Sequence, residues 1–547
     1  KDKDKDKDKD KDKDKDKDKE QSTRQEGQKS DGLSNHEKMM IFEKIYGFKS
    51  LKYLDGRNKN ESNPPETPAT REAIDRALLL LNEIPSLQVT GTLRAPTYHQ
   101  YEDQKSNGNK SGDKNSGLNR GKSTLDLHLK KQPWRLALGW DNYGNDYTGP
   151  SLGWVTARGN TPISITDELG IMLLTTRDTR ELQYGAVEYG RDFWGDSRAQ
   201  LQYTLAKGHP GDSLKEFKML SFNQSFEIKT IYPWVRNRED SLDLEGGFRA
   251  SDSTVETFTI PYTHERVRKL FAKLVLRNKV QHKAEQYFCC EWQSGDILNG
   301  FGSLFSIPGP QAYEMSLSVH QGIDVMNATP HYDHGSTRPE AHPVFNTLNL
   351  VARFKREFEW PAEEETKTGE SKIEESKTGT PWPGTQPKSF VISLDFEGQY
   401  SNSPLFSAEE FSIGGRNYGR AFRAGEIAGD MGWGGKIEAG VKFLSRWEDI
   451  YNLDSDWTPF VFVEGGSVWE HDYTHQLKGD DHKRLWDAGA GLRINVRPDP
   501  LKEKSPYNWK QISLDTSLGK QLGSVSSEQL TEHHYKLRAM VLTQFEF

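Results

Sequence analysis

Residues 403–438 read S-P-L-F-S-A-E-E-F-S-I-G-G-R-N-Y-G-R-A-F-R-A-G-E-I-A-G-D-M-G-W-G-G-K-I-E, a long glycine-punctuated loop between two alternating segments. On its entry side Phe390, Ile392, Leu394, Phe396 and Tyr400 share one face, and Ser393, Asp395, Glu397 and Gln399 share the other. That is the period of two of a pleated strand with one apolar face. On its exit side Ile437, Ala439, Val441 and Phe443 oppose Lys436, Glu438 and Lys442. The chain ends in the same manner: Tyr535, Leu537, Ala539, Val541, Phe545 and Phe547 alternate with His534, Lys536, Arg538, Gln544 and Glu546.

The same pattern recurs from Trp134 onward, for example Ala199, Leu201, Tyr203 and Leu205 against Arg198, Gln200 and Gln202, and Tyr313, Met315, Leu317 and Val319 against Glu314, Ser316 and Ser318. About 415 residues at roughly 25 per strand and connection give on the order of 16 strands, a number that suits a closed barrel. Counting strands directly gives 16 or 17, the ambiguous one being Ala284 to Trp292. Sandwiches and propellers also contain many short strands. In water, however, rows of Phe, Tyr, Leu and Val on one face need a second sheet to cover them. A terminal aromatic such as Phe547 is equally out of place at a frayed soluble end.

Composition agrees. With 33% hydrophobic residues, a mean hydropathy of -0.83 and a net charge of -8, the 547-residue chain cannot be a bundle of membrane helices. A spanning helix needs about 20 apolar residues in a row, whereas a spanning strand needs them only at alternate positions and leaves a polar lumen. The acidic balance, without a basic stripe interleaved with aromatics, argues against nucleic acid. Adjacent Cys289 and Cys290 are read as two small strand residues, with no disulfide framework or metal site.

The start has no secretory signal, which is either removed or missing from a fragment. It opens instead with an alternating Lys-Asp tract, Lys1 to Lys19, within a low-complexity tail over residues 1–37 expected to be disordered. Thr70 to Asn82 reads as a helix stopped by Pro85, and Val89 to Leu93 and Thr124 to Leu129 read as strands, so residues 38–132 form a small α+β module. Residues 361–388 repeat charged motifs (E-T-K-T-G-E-S-K, then E-E-S-K-T-G-T) and are expected to be a disordered insertion.

P-L-F-S-A-E-E-F-S-I-G-G, G-R-A-F and I-A-G-D-M-G together resemble the hallmark region of the hemolysin activator and filamentous hemagglutinin transporter family. These are the TpsB outer-membrane transporters of two-partner secretion, within the Omp85 superfamily. Ile74 to Pro85 resembles the helix of that family's second POTRA domain. Trp140 to Gly144 with Thr148-Gly149 resembles its first barrel hairpin and Tyr232 to Arg238 a central strand, and Gln321 to Val325 and Ala488 to Arg493 are also similar to the family.

The fold the resemblance implies is mainly β: a 16-stranded antiparallel transmembrane barrel over residues 133–547, preceded by a small α+β POTRA domain over 38–132. The loop 403–434 would fold back into the bore. Its tip, V-R-G-[FY] in the family, reads Gly419-Arg420-Ala421-Phe422 here, keeping Arg420 and Phe422. The tip arginine would pair with Glu464 on the inner wall, where the family usually carries Asp. Phe411, Gly414, Gly415, Gly429 and Asp430 complete the loop motif, and Phe545 and Phe547 the C-terminal assembly signal.

The function implied is secretion, with possible activation, of a partner exoprotein of the TpsA kind, such as a hemolysin or adhesin. The partners would be that exoprotein through the POTRA domain, outer-membrane lipid and the outer-membrane assembly machinery, for a monomeric protein in the Gram-negative outer membrane with its POTRA domain in the periplasm. No cofactor and no enzymatic activity are implied. The runner-up is an Omp85-type assembly factor that inserts other barrels, and a passive porin is a third reading that would leave the loop and the module idle. Gly149 to Gly153 fits G-x-S-x-G but leads into a strand, and Gly121-Lys122-Ser123 lacks the first glycine of a P-loop. His471, Asp472 and His475, like His331, Asp333 and His334, read as solvated loop residues.

Overall fold

The computed structural model describes residues 71–83, 87–94, 124–131, 134–159, 166–238, 240–278, 311–359, 387–416, 418–447, 453–471, 482–498, 509–522 and 537–547. The Lys-Asp tract, Cys289 and Cys290, the ambiguous segment 284–292, nearly all of the insertion 361–388, and Asp472 and His475 lie outside them. The chain divides into two compact units.

In the first unit, α1 (Arg71–Asn82) buries Ala77, Leu80 and Leu81, spaced three and four apart as one helical face requires. β1 (Leu87–Arg94) and β2 (Thr124–Lys131) pair antiparallel from Leu87 opposite Lys131 to Arg94 opposite Thr124.

The second unit is a closed antiparallel barrel of sixteen strands. In chain order they are β3 (Trp134–Asp141), β4 (Leu152–Gly159), β5 (Glu168–Thr176), β6 (Gln183–Trp194), β7 (Ser197–Gly208), β8 (Leu220–Arg236), β9 (Asp240–Thr257), β10 (Ile260–Asn278), β11 (Gln311–Gly322), β12 (Asn346–Glu359) and β13 (Pro387–Ser401), then β16 (Met431–Trp447), β17 (Leu453–Trp469), β18 (His482–Pro498), β19 (Gln511–Gln521) and β20 (Leu537–Glu546). Between β13 and β16 two short strands, β14 (Phe411–Ile413) and β15 (Ile427–Gly429), pair only with each other. β16 begins at Met431, so the loop is shorter at its end than the expected 403–434.

Every barrel strand pairs with its chain neighbour, and β20 closes on β3 from Leu542 opposite Asp141 to Glu546 opposite Ala137. That seam has five paired positions, fewer than any other junction of the wall. Call the end where the chain enters β3 and leaves β20 the proximal rim, and the other the distal rim.

The apolar alternation faces outward. Leu173, Ile437, Val461 and Leu518 are each more than half exposed, as side chains meant for lipid must be in the isolated chain. Inward positions over β9 to β19 are largely charged and paired across strands. The expected polar lumen does not extend to β4–β6, where Leu152, Trp154, Met172, Leu174, Tyr184 and Ala186 turn inward as a contiguous apolar cluster. Near the seam, Met540 and Leu542 of the last strand also point inward, against Tyr143.

Candidate functional site: the inward loop and its wall

The connection 402–430 turns back into the barrel. Leaving β13, it makes one 3-10 turn at Ser407–Glu409 and forms the β14–β15 ladder, which narrows the loop to a neck. Beyond the neck Gly414 and Gly415 take φ of 127° and 70°, values that L side chains rarely adopt, and turn the tip across the bore. Tyr418 has φ 58°, a strained position for a bulky residue. A turn closes from Phe422 N–H to the Gly419 carbonyl at 2.9 Å.

Two carboxylates receive this turn. Glu464 Oε1 accepts the backbone N–H groups of Gly419 at 3.1 Å and Arg420 at 2.5 Å, and Asp487 Oδ2 accepts that of Ala421 at 2.5 Å. Glu464 on β17 stands opposite Asp487 on β18 in the register, so the cradle is built by strand pairing alone. Charge-assisted bonds of this kind are about twice as strong as neutral ones.

The Arg420 guanidinium is shared. Its Nη2 lies 2.5 Å from Glu438 Oε2, its Nε 3.4 Å from Glu464 Oε2, and its plane faces Phe462 with 4.2 Å to the ring centroid. Glu438 also binds Arg493 at 3.1 Å, and Arg493 binds Asp515 at 2.8 Å, which extends the ion network to β19. Arg420, Glu438 and Glu464 are all buried.

An apolar seat surrounds the ions. Phe411, Ile413, Tyr418, Phe422 and Ile427 of the loop pack with Val468 and Leu485 of the wall. The wall is glycine where the loop lands: a Cβ on Gly434 would stand 2.4 Å from the Tyr418 ring, on Gly432 2.4 Å from Phe411, and on Gly466 2.7 Å from Ile413. Gly432, Gly434 and Gly466 thus make room for loop side chains.

The tip also touches both strands of the seam. Arg416 pairs with Asp141 of β3, Arg423 lies 2.5 Å from Asp146 just beyond it, and Arg538 of β20 donates to the Phe422 carbonyl and to those of Asn142 (3.1 Å) and Gly144 (2.9 Å).

Of the residues singled out from sequence, Gly419, Arg420, Ala421, Phe422 and Glu464 meet at the tip, and Phe411, Gly414 and Gly415 form the neck. Gly429 and Asp430 do not join them; they sit at the loop's root, where Asp430 pairs with Arg338. Phe545 and Phe547 lie apart on the outward face of β20, each about 40% exposed, with Phe547 N–H bonded to the Leu136 carbonyl at 2.8 Å. Glu438, Asp487, Arg493 and the Arg416–Asp141 pair were not anticipated, because strand register, not a local motif, brings them to the tip. Ser151 of the G-x-S-x-G match accepts the Trp140 indole N–H at 2.9 Å. Among the described residues no cluster suits a metal ion.

A closed sixteen-stranded wall, apolar outside, with a long loop seated on an ionic inner wall, defines a transmembrane barrel with an occluding internal loop. Residues 299–494 match the family model described as haemolysin secretion/activation protein ShlB/FhaC/HecB, a match that includes the whole inward loop and agrees with the resemblance read from its motifs. Among curated proteins, the hemolysin transporter protein HpmB of Proteus mirabilis is 21% identical over 436 residues, 79% of this chain and 64% of its own length. The chain therefore spans under two thirds of that relative. Among solved structures, CdiB from Escherichia coli superposes with a TM-score of 0.57 at 16% identity, covering 86% of this chain and 70% of that one. CdiB from Acinetobacter baumannii gives 0.53 at 15%, covering 85% and 67%. At these identities the structural likeness establishes the fold.

Proposed function

We propose that this protein is the outer-membrane translocator of a two-partner secretion system, passing an unfolded exoprotein from the periplasm to the cell surface. The proximal rim then faces the periplasm with the POTRA module, residues 38–132, and the distal rim faces outward. The observation that carries this reading is the buried Arg420 tip, cradled by Glu438, Glu464 and Asp487 inside a closed barrel that matches the haemolysin secretion family model over residues 299–494.

The mechanism follows from that geometry. The seated tip occupies the bore and keeps it shut to solutes. An extended cargo segment entering from the periplasm competes for the same wall, offering backbone N–H groups to Glu464 and Asp487 in place of those of the tip. At the module, an extended cargo segment adds to the β1–β2 sheet by β-augmentation, backbone hydrogen bonds giving affinity and side-chain pockets giving choice. Export draws on binding and on folding of the cargo outside, and requires neither cofactor nor catalytic residue. HpmB's designation as a hemolysin transporter supports a hemolysin-like cargo. Phe545 and Phe547, at the end of the outward face of β20, serve as the signal for the assembly machinery that inserts a monomeric barrel into lipid.

The test is co-expression in a Gram-negative host with an exoprotein bearing an N-terminal secretion domain. Export to the medium is expected with the native chain and not with Arg420→Ala, both barrels being assembled. Equal export by the variant would remove the tip from the mechanism.

A further inference from the structure

The sequence motif around Gly429-Asp430 has no part in the tip site, yet Asp430 is fully buried. Its carboxylate is fully used. Oδ1 accepts Leu405 N–H at 2.8 Å and Arg338 Nη1 at 2.7 Å; Oδ2 accepts His471 N–H at 2.8 Å and Arg338 Nη2 at 3.1 Å. A bidentate guanidinium fixes orientation as well as distance. The same Arg338 holds Glu410 at 2.5 Å, across the root of the loop from Asp430.

Arg338 belongs to a different loop, residues 323–345 between β11 and β12 at the distal rim. That loop is itself tied to β10: Thr329 N–H to the Arg266 carbonyl at 2.9 Å, Arg266 N–H to Thr329 Oγ1 at 2.7 Å, His264 N–H to the Gly335 carbonyl at 2.7 Å, and Thr337 N–H to Glu265 Oε1 at 2.8 Å. Between it and the root lies a sealed apolar core of Val267, Ala341, Phe345, Leu405 and Phe406. From below, Lys269 of β10 pairs with Glu409 at 2.6 Å, and Gln399 Nε2 donates to the carbonyls of Glu409 and Asp430. The root is thus held by apolar packing and by another loop. The path into and out of the tip includes Gly414, Gly415 and Gly425, all at positive φ.

We propose that Arg338 is a positioning residue that clamps the root of the inward loop through Asp430, so that opening swings only the tip, about the glycines at its neck, while the root stays docked. This rests on the translocator reading and adds which part of the loop moves.

Thr337 Oγ1 and Ser407 Oγ, one on each side of the clamp, are exposed and 2.8 Å apart, which places a cysteine pair within disulfide reach. In a Cys289→Ser, Cys290→Ser background, the full chain carrying Thr337→Cys and Ser407→Cys is purified, oxidised and incorporated into planar bilayers in potassium chloride. The disulfide is expected to form, and opening events under voltage to stay within twofold before and after reduction. An oxidised channel that stays shut and opens with reductant would overturn the proposal, as would a pair that fails to cross-link.

In a second measurement, a bilayer-impermeant maleimide reacts with Leu405→Cys, buried in the root core. Arg338→Gln is expected to raise its labelling at least tenfold and Arg420→Ala to leave it unchanged; equal effects of the two would also overturn the clamp. A native chain without gated current sinks the translocator reading itself, whereas a gated native chain with a shut staple sinks only this inference.

Discussion

Removing the Arg420 side chain perturbs the ionic site in an unequal way, and the inequality sets the size of the effect. Glu438 keeps Arg493 at 3.1 Å and so retains a partner. Glu464, fully buried, loses its guanidinium at 3.4 Å and keeps the backbone donors of a tip that must remain seated to supply them, with Lys436 opposite it on β16. Breaking one side of a buried pair costs about 3 to 5 kcal/mol. With Glu438 still paired and water available in the bore, the lower end applies, about 3 kcal/mol. The lost stacking on Phe462 adds roughly 0.5 to 1 kcal/mol. At about 1.4 kcal/mol per tenfold, the seated-to-released ratio of the tip falls on the order of 100- to 1,000-fold. A tip without its preferred seat gives cargo no defined exchange at Glu464 and Asp487, so export is expected to be lost while the barrel still assembles. Arg420→Ala is scored by heat-modifiable mobility for assembly, trypsin cleavage at Arg416 and Arg423 for tip release, and exoprotein in the medium for export. A folded variant whose tip remains as protease-resistant as the native one would refute the reasoning.

Two further perturbations follow from the same geometry. Gly434→Val puts a Cβ where the Tyr418 ring lies, at 2.4 Å, in a strand that otherwise favours valine; the expected result is a folded barrel whose loop is cut by trypsin at least tenfold faster, at an overpacking cost of about 1 to 3 kcal/mol, and unchanged protection would contradict it. Burial pushes the Glu410 carboxyl up to about 7, with Arg338 opposing the rise and Asp430 reinforcing it. The docked root therefore binds a proton that the released root does not. The stabilisation from this group is fully present below about 4.5 and disappears as pH rises through about 7, on the order of 3 kcal/mol. Thermal unfolding in detergent should accordingly lose midpoint between pH 5 and pH 8 in the native chain, and less so in Glu410→Gln; parallel curves would exclude this role.

Much of the barrel was legible from period-two alternation, because lipid imposes one apolar face on every strand, and Leu201, Tyr203, Met315 and Leu317 all point outward as read. The inner face was less legible. Trp154, Met172 and Leu174 turn inward despite their apolar character, since side chains on neighbouring strands cover one another there, which alternation along a single strand cannot reveal. At the tip, Arg420 and Glu464 were readable from local motifs. Glu438 was visible only as a polar-face residue, and Asp487 not at all, because both reach the tip through the registers β16–β17 and β17–β18. Arg338, ninety-two positions before Asp430, carries no local signal of its role.

The tip lies against the inner wall and must leave it for the bore to open. Ala421 Cβ stands 3.2 Å from where a Cβ on Gly519 would be, a few tenths of an ångström short of disulfide spacing, so a small shift of the tip accommodates Ala421→Cys with Gly519→Cys. In the cysteine-free background the pair should cross-link on mild oxidation and hold the channel shut, with opening restored by reductant. Failure to cross-link in a folded barrel, or opening that persists with the disulfide intact, would contradict a gate made by the seated tip.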